Sequence, residues 1–249
     1  MAPQSRALPV LITRPEPQAS RFAHALQNRY GDQAVPILSP LLSPVFLKPK
    51  IPDAPFGAVI LTSETGARAA AGFPALPRRA YCVGDRTAEV ARTAGFEAYS
   101  ASGDADQLFR LLQGQADHAP FLHLRGREAR GDLAARLTAA NLPTKDAVVY
   151  AQEPVALSPE AIAILSAVDA SGAGPVIVPL FSPRTAEVFR RALSDLPDGN
   201  NVFNRLRIAA LSPAIAEVFV ACPPQSLGIA EAPSLAELFL VLDRFIITA

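Results

Sequence analysis

Short continuous apolar runs punctuate the chain, and most are followed by a segment whose apolar residues recur at helical spacing. The first pair sets the pattern. "PVLIT" (residues 9–13) reads as a buried strand. "PEPQASRFAHALQNR" (residues 15–29) then places Phe22, Leu26 and several alanines on one helical face. Pro15 and Pro17 stand at its start, where a missing N–H is tolerated. Further strands are expected at residues 34–39, 57–63, 80–84, 120–126, 146–152, 175–182 and 207–212. This β–α alternation predicts an α/β protein with parallel sheets flanked by helices on both faces.

The pattern repeats. "PVLITRPEPQASRFAHAL" is similar to "PFLHLRGREARGDLAARL", and "VILTSETGARAAAGF" to "VPLFSPRTAEVFRRAL". "AYCVGDRTAEVA" is similar to "IAALSPAIAEVF", and "SGDADQLFRLL" to "APSLAELFLVL". Four pairs in the same order predict two similar α/β domains. Two proline-flanked, β-prone stretches, residues 36–49 and 146–159, read as connectors. Two crossings imply that one domain is inserted in the other, with ligands expected in a cleft beyond the carboxyl ends of the strands.

Composition narrows the class. Half of the 249 residues are hydrophobic, so the 24 prolines read as short stiff connections rather than disorder. Lys+Arg and Asp+Glu both number 23. That balance argues against bulk nucleic-acid binding, which needs a basic excess. No run reaches transmembrane length. The apolar run at residues 7–12 is too short for a signal peptide. A cytoplasmic protein is expected, with no nucleic-acid or membrane partner and no feature that demands more than a monomer. Cys82 and Cys222 are too few for a disulfide framework, and Cys82 reads as a small core residue.

Candidate chemistry gathers where strands turn into helices. Thr62-Ser63, Ser182-Pro183 and Ser212-Pro213 each occupy such a corner. Each reads either as a simple N-cap or as an anion site, because a helix N-terminus offers free N–H groups and a positive dipole end. Gly84-Asp85-Arg86-Thr87 matches neither glycine-rich phosphate fingerprint, which disfavours a nucleotide. There Asp85 reads as an N-cap, and Thr87 as a cap or a donor to a ligand. Arg14 follows the first strand as Arg125 does in the matching repeat, with Arg127 and Arg130 beyond. These are either solvated charges or guanidinium forks for carboxylates. Tyr150, in "VVYAQEP", is either an amphipathic core residue or a proton donor. His24, His118 and His123 lack metal-ligand spacing, so no metal site is expected. No Gly-x-Ser-x-Gly elbow or Cys–His pair points to a nucleophile.

Taken in order, "VLITRPEPQA", "AVILTSETGA", "AYCVGDRTAEVARTAGF", "AVVYAQEP", "VPLFSPRTAEVF", "RIAALSPAIAEVF" and "APSLAELFLVL" make the chain resemble the uroporphyrinogen-III synthases along nearly its whole length. The resemblance implies two flavodoxin-like α/β domains joined by a two-stranded β connector. Residues 1–38 and 157–249 would form one, and residues 39–156 the inserted other. It implies a cofactor-free reaction: hydroxymethylbilane, a linear tetrapyrrole rich in carboxylates, loses its terminal hydroxyl and cyclises with inversion of the last ring. It makes Tyr150 the candidate acid, and gives substrate roles to Arg14, Thr62, Ser63, Thr87, Arg130 and Ser182. The corner readings add Gly84, Arg125 and Ser212. A transient handover from the preceding pathway enzyme is the one protein partner this implies. The last corner departs from the family's Gly-Pro-x-Thr, since Ile215 stands where the threonine is usual. That departure carries the competing reading, a catalytically silent tetrapyrrole- or anion-binding protein.

Overall fold

The computed structural model describes residues 7–129, 131–167, 174–196 and 199–247. The chain opens with β1 (Leu8–Ile12), α1 (Gln18–Tyr30), β2 (Ala34–Leu38) and β3 (Leu42–Phe46). It continues through β4 (Ala58–Leu61), α2 (Glu64–Ala70), β5 (Arg79–Cys82), α3 (Asp85–Thr93), β6 (Glu97–Ser100) and α4 (Ala105–Gln113). Then come β7 (Phe121–Gly126), α5 (Leu133–Ala139), β8 (Thr144–Pro154), α6 (Pro159–Ser166), β9 (Val176–Leu180) and α7 (Pro183–Ser194). It closes with α8 (Gly199–Val202), β10 (Leu206–Ala210), α9 (Pro213–Ala216), β11 (Ser226–Ile229) and α10 (Leu235–Ile246).

Two compact units result, Met1–Ser43 with Pro154–Ala249, and Pro44–Glu153. The first holds a five-stranded sheet in the order β11-β10-β9-β1-β2. That is the doubly wound order in which a ligand crevice forms at the carboxyl ends, between the two strands where the winding reverses. Here those strands are β1 and β9. The six-stranded sheet runs β3-β8-β7-β4-β5-β6. Apart from the added edge strand β3, it is the same sheet with its chain order rotated: β7 stands for β1, β8 for β2, β4 for β9, β5 for β10 and β6 for β11. The four sequence repeats occupy matching positions, and the reversal in this unit lies between β7 and β4. The expected connector appears as β3 and β8, which are hydrogen-bonded neighbours at the edge of the second sheet.

Alternation along each strand builds a core on both faces. In the first sheet Leu8, Val10 and Ile12 pack with Phe22 and Leu26 of α1 and Leu238 and Leu242 of α10. Val176, Val178 and Leu180 of β9 face the other way, onto α6 and α7, around the fully buried Phe189. Side chains of this size each stabilise by roughly 1.5–3 kcal/mol when buried. In the second unit one face is alanine-rich, with Ala67, Ala70, Ala88 and Ala91 letting α2 and α3 lie close to the sheet. The opposite face uses Leu108, Leu112, Leu133 and Leu137 of α4 and α5. Cys82 belongs to the alanine-rich core, and burial pushes its thiol up to about 12, against a smaller lowering by Arg92.

Candidate functional site

In the second unit, Arg125, Thr62-Ser63 and Gly84 lie at or just beyond the carboxyl ends of β7, β4 and β5, consecutive neighbours in the sheet, and Tyr150, within the adjoining β8, pairs with Gly126, the last residue of β7. Tyr150 reaches this end because β8 carries a bulge. Arg125 pairs with Val148 but Gly126 pairs with Tyr150, so one extra residue on β8 resets the side-chain alternation. Bulges of this kind re-aim a side chain. The phenol ring then covers Gly126, where an added Cβ would stand 2.6 Å from Tyr150 Cζ. Its hydroxyl lies 3.0 Å from Ser63 Oγ. Ser63 is also the N-cap of α2, its Oγ accepting the Gly66 N–H at 2.9 Å. The two roles are compatible, since a hydroxyl has two lone pairs and one proton.

A second polar chain runs beside the first. Thr62 Oγ1 is 3.2 Å from His123 Nε2, and His123 Nδ1 is 2.8 Å from Asp146 Oδ1. Arg125 Nε donates to Asp146 Oδ2 at 3.0 Å, and its Nη1 donates to the Gly126 carbonyl. One edge of the Arg125 guanidinium is thus engaged inside the unit. Burial raises the pKa of Asp146, but the hydrogen bond to His123 and the Arg125 cation outweigh it and hold the carboxyl below its usual range. His123 itself is 5 % exposed. Nothing in the sequence marked it: a lone histidine in an apolar strand carries no spacing signal, and its partner is 23 positions away.

The glycine corner differs from its expected form. Gly84 is the N-cap of α3 and makes no side-chain cap, while Asp85 accepts from Ser102 Oγ at 3.0 Å and does not cap the helix. Hydrogen bonds from Ser100 and Ser102 lower the Asp85 pKa. Thr87, at the third helical position, is 5 % exposed. Its counterparts Thr185 and Ile215 are buried as well. Ile215 therefore keeps the packing of that position and removes only the hydroxyl.

In the first unit, Arg14, Ser182 and Ser212 follow β1, β9 and β10, again adjacent strands. The Arg14 guanidinium carbon lies 3.8 Å over the Phe181 ring centroid. Ser182 Oγ accepts the Thr185 N–H at 3.2 Å and pairs with Thr185 Oγ1 at 2.9 Å. Ser212 caps α9 without a side-chain hydrogen bond. Arg130 lies outside the described residues. Among the described residues no group of three His, Cys, Asp or Glu side chains could hold a metal ion, and no helix is long and apolar enough to cross a membrane.

The family model described as "Uroporphyrinogen-III synthase HemD" matches residues 20–239. The chain belongs to the uroporphyrinogen-III synthase family. Among solved structures, the uroporphyrinogen-III synthetase of Helicobacter pylori aligns over 96 % of this chain and 99 % of its own, with 17 % identity and a TM-score of 0.60. A mutant uroporphyrinogen III synthase from the extremely thermophilic bacterium Thermus thermophilus aligns over 98 % and 100 %, with 16 % identity and a TM-score of 0.43. No curated protein matches the sequence. The family sets the reaction class, a cyclising lyase of tetrapyrrole biosynthesis. For a uroporphyrinogen-III synthase, a phenol held against a serine at the carboxyl end of a parallel sheet is a usable proton donor, and the neighbouring strand corners are usable carboxylate holders.

Proposed function

We propose that this uroporphyrinogen-III synthase acts on hydroxymethylbilane with Tyr150 as the general acid and the strand corners as holders of the substrate's carboxylates. Tyr150 gives its phenolic proton to the terminal hydroxyl, the C–O bond breaks, and water leaves an azafulvene cation. The Ser63 O–H then donates to the phenolate oxygen. Its proton is free to do so because its lone pair, not its hydrogen, serves the Gly66 N–H. The substituted carbon of the last ring attacks the cation and forms a spiro intermediate, which opens and recloses with that ring inverted. The proton shed as the pyrrole regains aromaticity restores the phenol. One water is released and no cofactor is consumed.

The Tyr150–Ser63 contact is the observation that carries this reading. Arg14, Ser182 and Ser212 supply cationic and hydroxyl contacts on the first unit; Ser63, Thr62 and the Gly84–Thr87 corner line the second, and Arg130 joins them by resemblance. Closure without the enzyme gives the unrearranged isomer, so holding the chain for attack by the substituted carbon is the larger task. The protein works in the cytoplasm as a monomer and takes its substrate by brief handover from the enzyme that makes it. Fresh hydroxymethylbilane incubated with the protein, followed by separation of the product isomers, tests the reading. Isomer III is expected; isomer I alone, formed at the uncatalysed rate, overturns it.

A further inference from the structure

The two sheets match position for position, yet one set of matched positions differs in kind. In the second unit, Thr62, His123 and Asp146 form a hydrogen-bonded row. Their counterparts in the first unit are Phe181, Ile12 and Leu38, by the sequence repeat and by the register that sets Ile12 against Leu38 and His123 against Asp146. Ile12 is fully buried. An apolar side chain thus fills the His123 position although Leu38 beside it is exposed, and a buried imidazole is not a requirement of the fold.

We propose that His123 and Asp146 are a positioning pair that turns the lone pairs of Thr62 outward, so that Thr62, unlike the other corner groups, takes a pyrrole N–H of the substrate and not a carboxylate. The choice of ligand rests on the tetrapyrrole reading above; the positioning does not. A carboxylate accepts hydrogen bonds and does not donate them, so Asp146 places a proton on Nδ1 of His123 at 2.8 Å. The Arg125 guanidinium takes the other oxygen of Asp146, and in the neutral Nδ1–H form of the ring Nε2 is a lone pair. The Thr62 hydroxyl then donates to Nε2 at 3.2 Å and spends its single proton. What remains to face a ligand is an acceptor. A carboxylate there would meet lone pair against lone pair, whereas an N–H donor fits.

Long-range proton–nitrogen correlation NMR on the wild-type protein at neutral pH reads the His123 ring directly. The Nδ1–H tautomer is expected; an Nε2–H tautomer or an imidazolium overturns the pair. Asp146→Asn offers an amide N–H to Nδ1, which moves the ring proton to Nε2 and makes His123 donate to Thr62. The tautomer should exchange, and KM for hydroxymethylbilane should rise about tenfold, the size of one misplaced hydrogen bond. Thr62→Val should show the same rise, and the double variant no more than either alone. Additive losses, or an unchanged KM in Asp146→Asn, overturn the proposal. Should Asp146→Asn not fold, the wild-type tautomer and a Thr62→Ser variant that retains KM decide it. Isomer I alone from the wild type would overturn the ligand choice together with the tetrapyrrole reading, and the tautomer would still decide the positioning.

Discussion

The Tyr150 hydroxyl stands 3.0 Å from Ser63 Oγ, and the ring that carries it lies on the bare backbone of Gly126. A bulge in β8, a serine cap on α2 and a glycine at the end of β7 combine to fix one phenol. Each of the three is separately removable.

Tyr150→Phe keeps the ring and deletes the proton. We expect kcat to fall by roughly a hundredfold, the low end of general acid catalysis, with KM nearly unchanged. Ser63→Ala should cost less in rate and, through the lost cap, about 1 kcal/mol in stability. Initial rates with separation of the isomers check both, and a fully active Tyr150→Phe variant would remove this residue from the acid role.

Gly126→Ala probes the seat of the ring. The new methyl would sit 2.6 Å from Cζ, so the phenol has to move. A stability loss of about 1–3 kcal/mol is expected from overpacking. A fall in kcat close to that of Tyr150→Phe should accompany it, measured on protein shown by thermal melting to be folded. Normal kcat in that variant would show that the phenol's position does not matter.

Arg14→Ala should raise KM by about three- to tenfold at low salt, with a smaller effect as ionic strength grows. Arg14→Lys should recover only part of it, because an ammonium neither forks nor stacks flat on Phe181 as the guanidinium does. A KM independent of both substitutions would make this residue scaffold.

Asp243 gives a stability prediction. On α10 it accepts from Arg29 at 2.9 and 2.6 Å and from the Tyr30 hydroxyl at 2.8 Å, joining α10 to α1. The Arg29 bond, helped by Tyr30 and opposed by burial, holds its pKa below the ordinary value. A depressed carboxyl stabilises above its unfolded pKa, near 4, and that contribution disappears as pH falls through the folded value. The gap in melting temperature between wild type and Asp243→Asn should therefore be widest near neutrality and close below about pH 4. A gap independent of pH would show that the charge is not what matters.

The interior strands were legible because each is an unbroken apolar run with a helix after it. The strands the sequence did not disclose, β6 and β11, are the outer edges of their sheets. Each is four residues long, "EAYS" and "SLGI", and an edge strand buried on fewer sides needs no apolar run. The serine corners could be found because a cap and an anion site share one local pattern. The bulge under Tyr150 and the His123–Asp146 pair could not, since both depend on the register of two strands. The sequence likewise showed Arg125 as a basic residue after a strand, without the Asp146 carboxylate that occupies one of its edges.

The Val155 N–H bonds to the Leu41 carbonyl at 3.0 Å, and the Ser158 N–H to Ser39 Oγ at 2.9 Å. The chain thus departs from the first unit and rejoins it at almost the same place. To that unit, the whole of Pro44–Glu153 amounts to a turn whose two ends are already tied. Loop-closure entropy grows only with the logarithm of length. An entire second sheet with its helices has therefore been threaded into the first at little more entropic expense than a long hairpin.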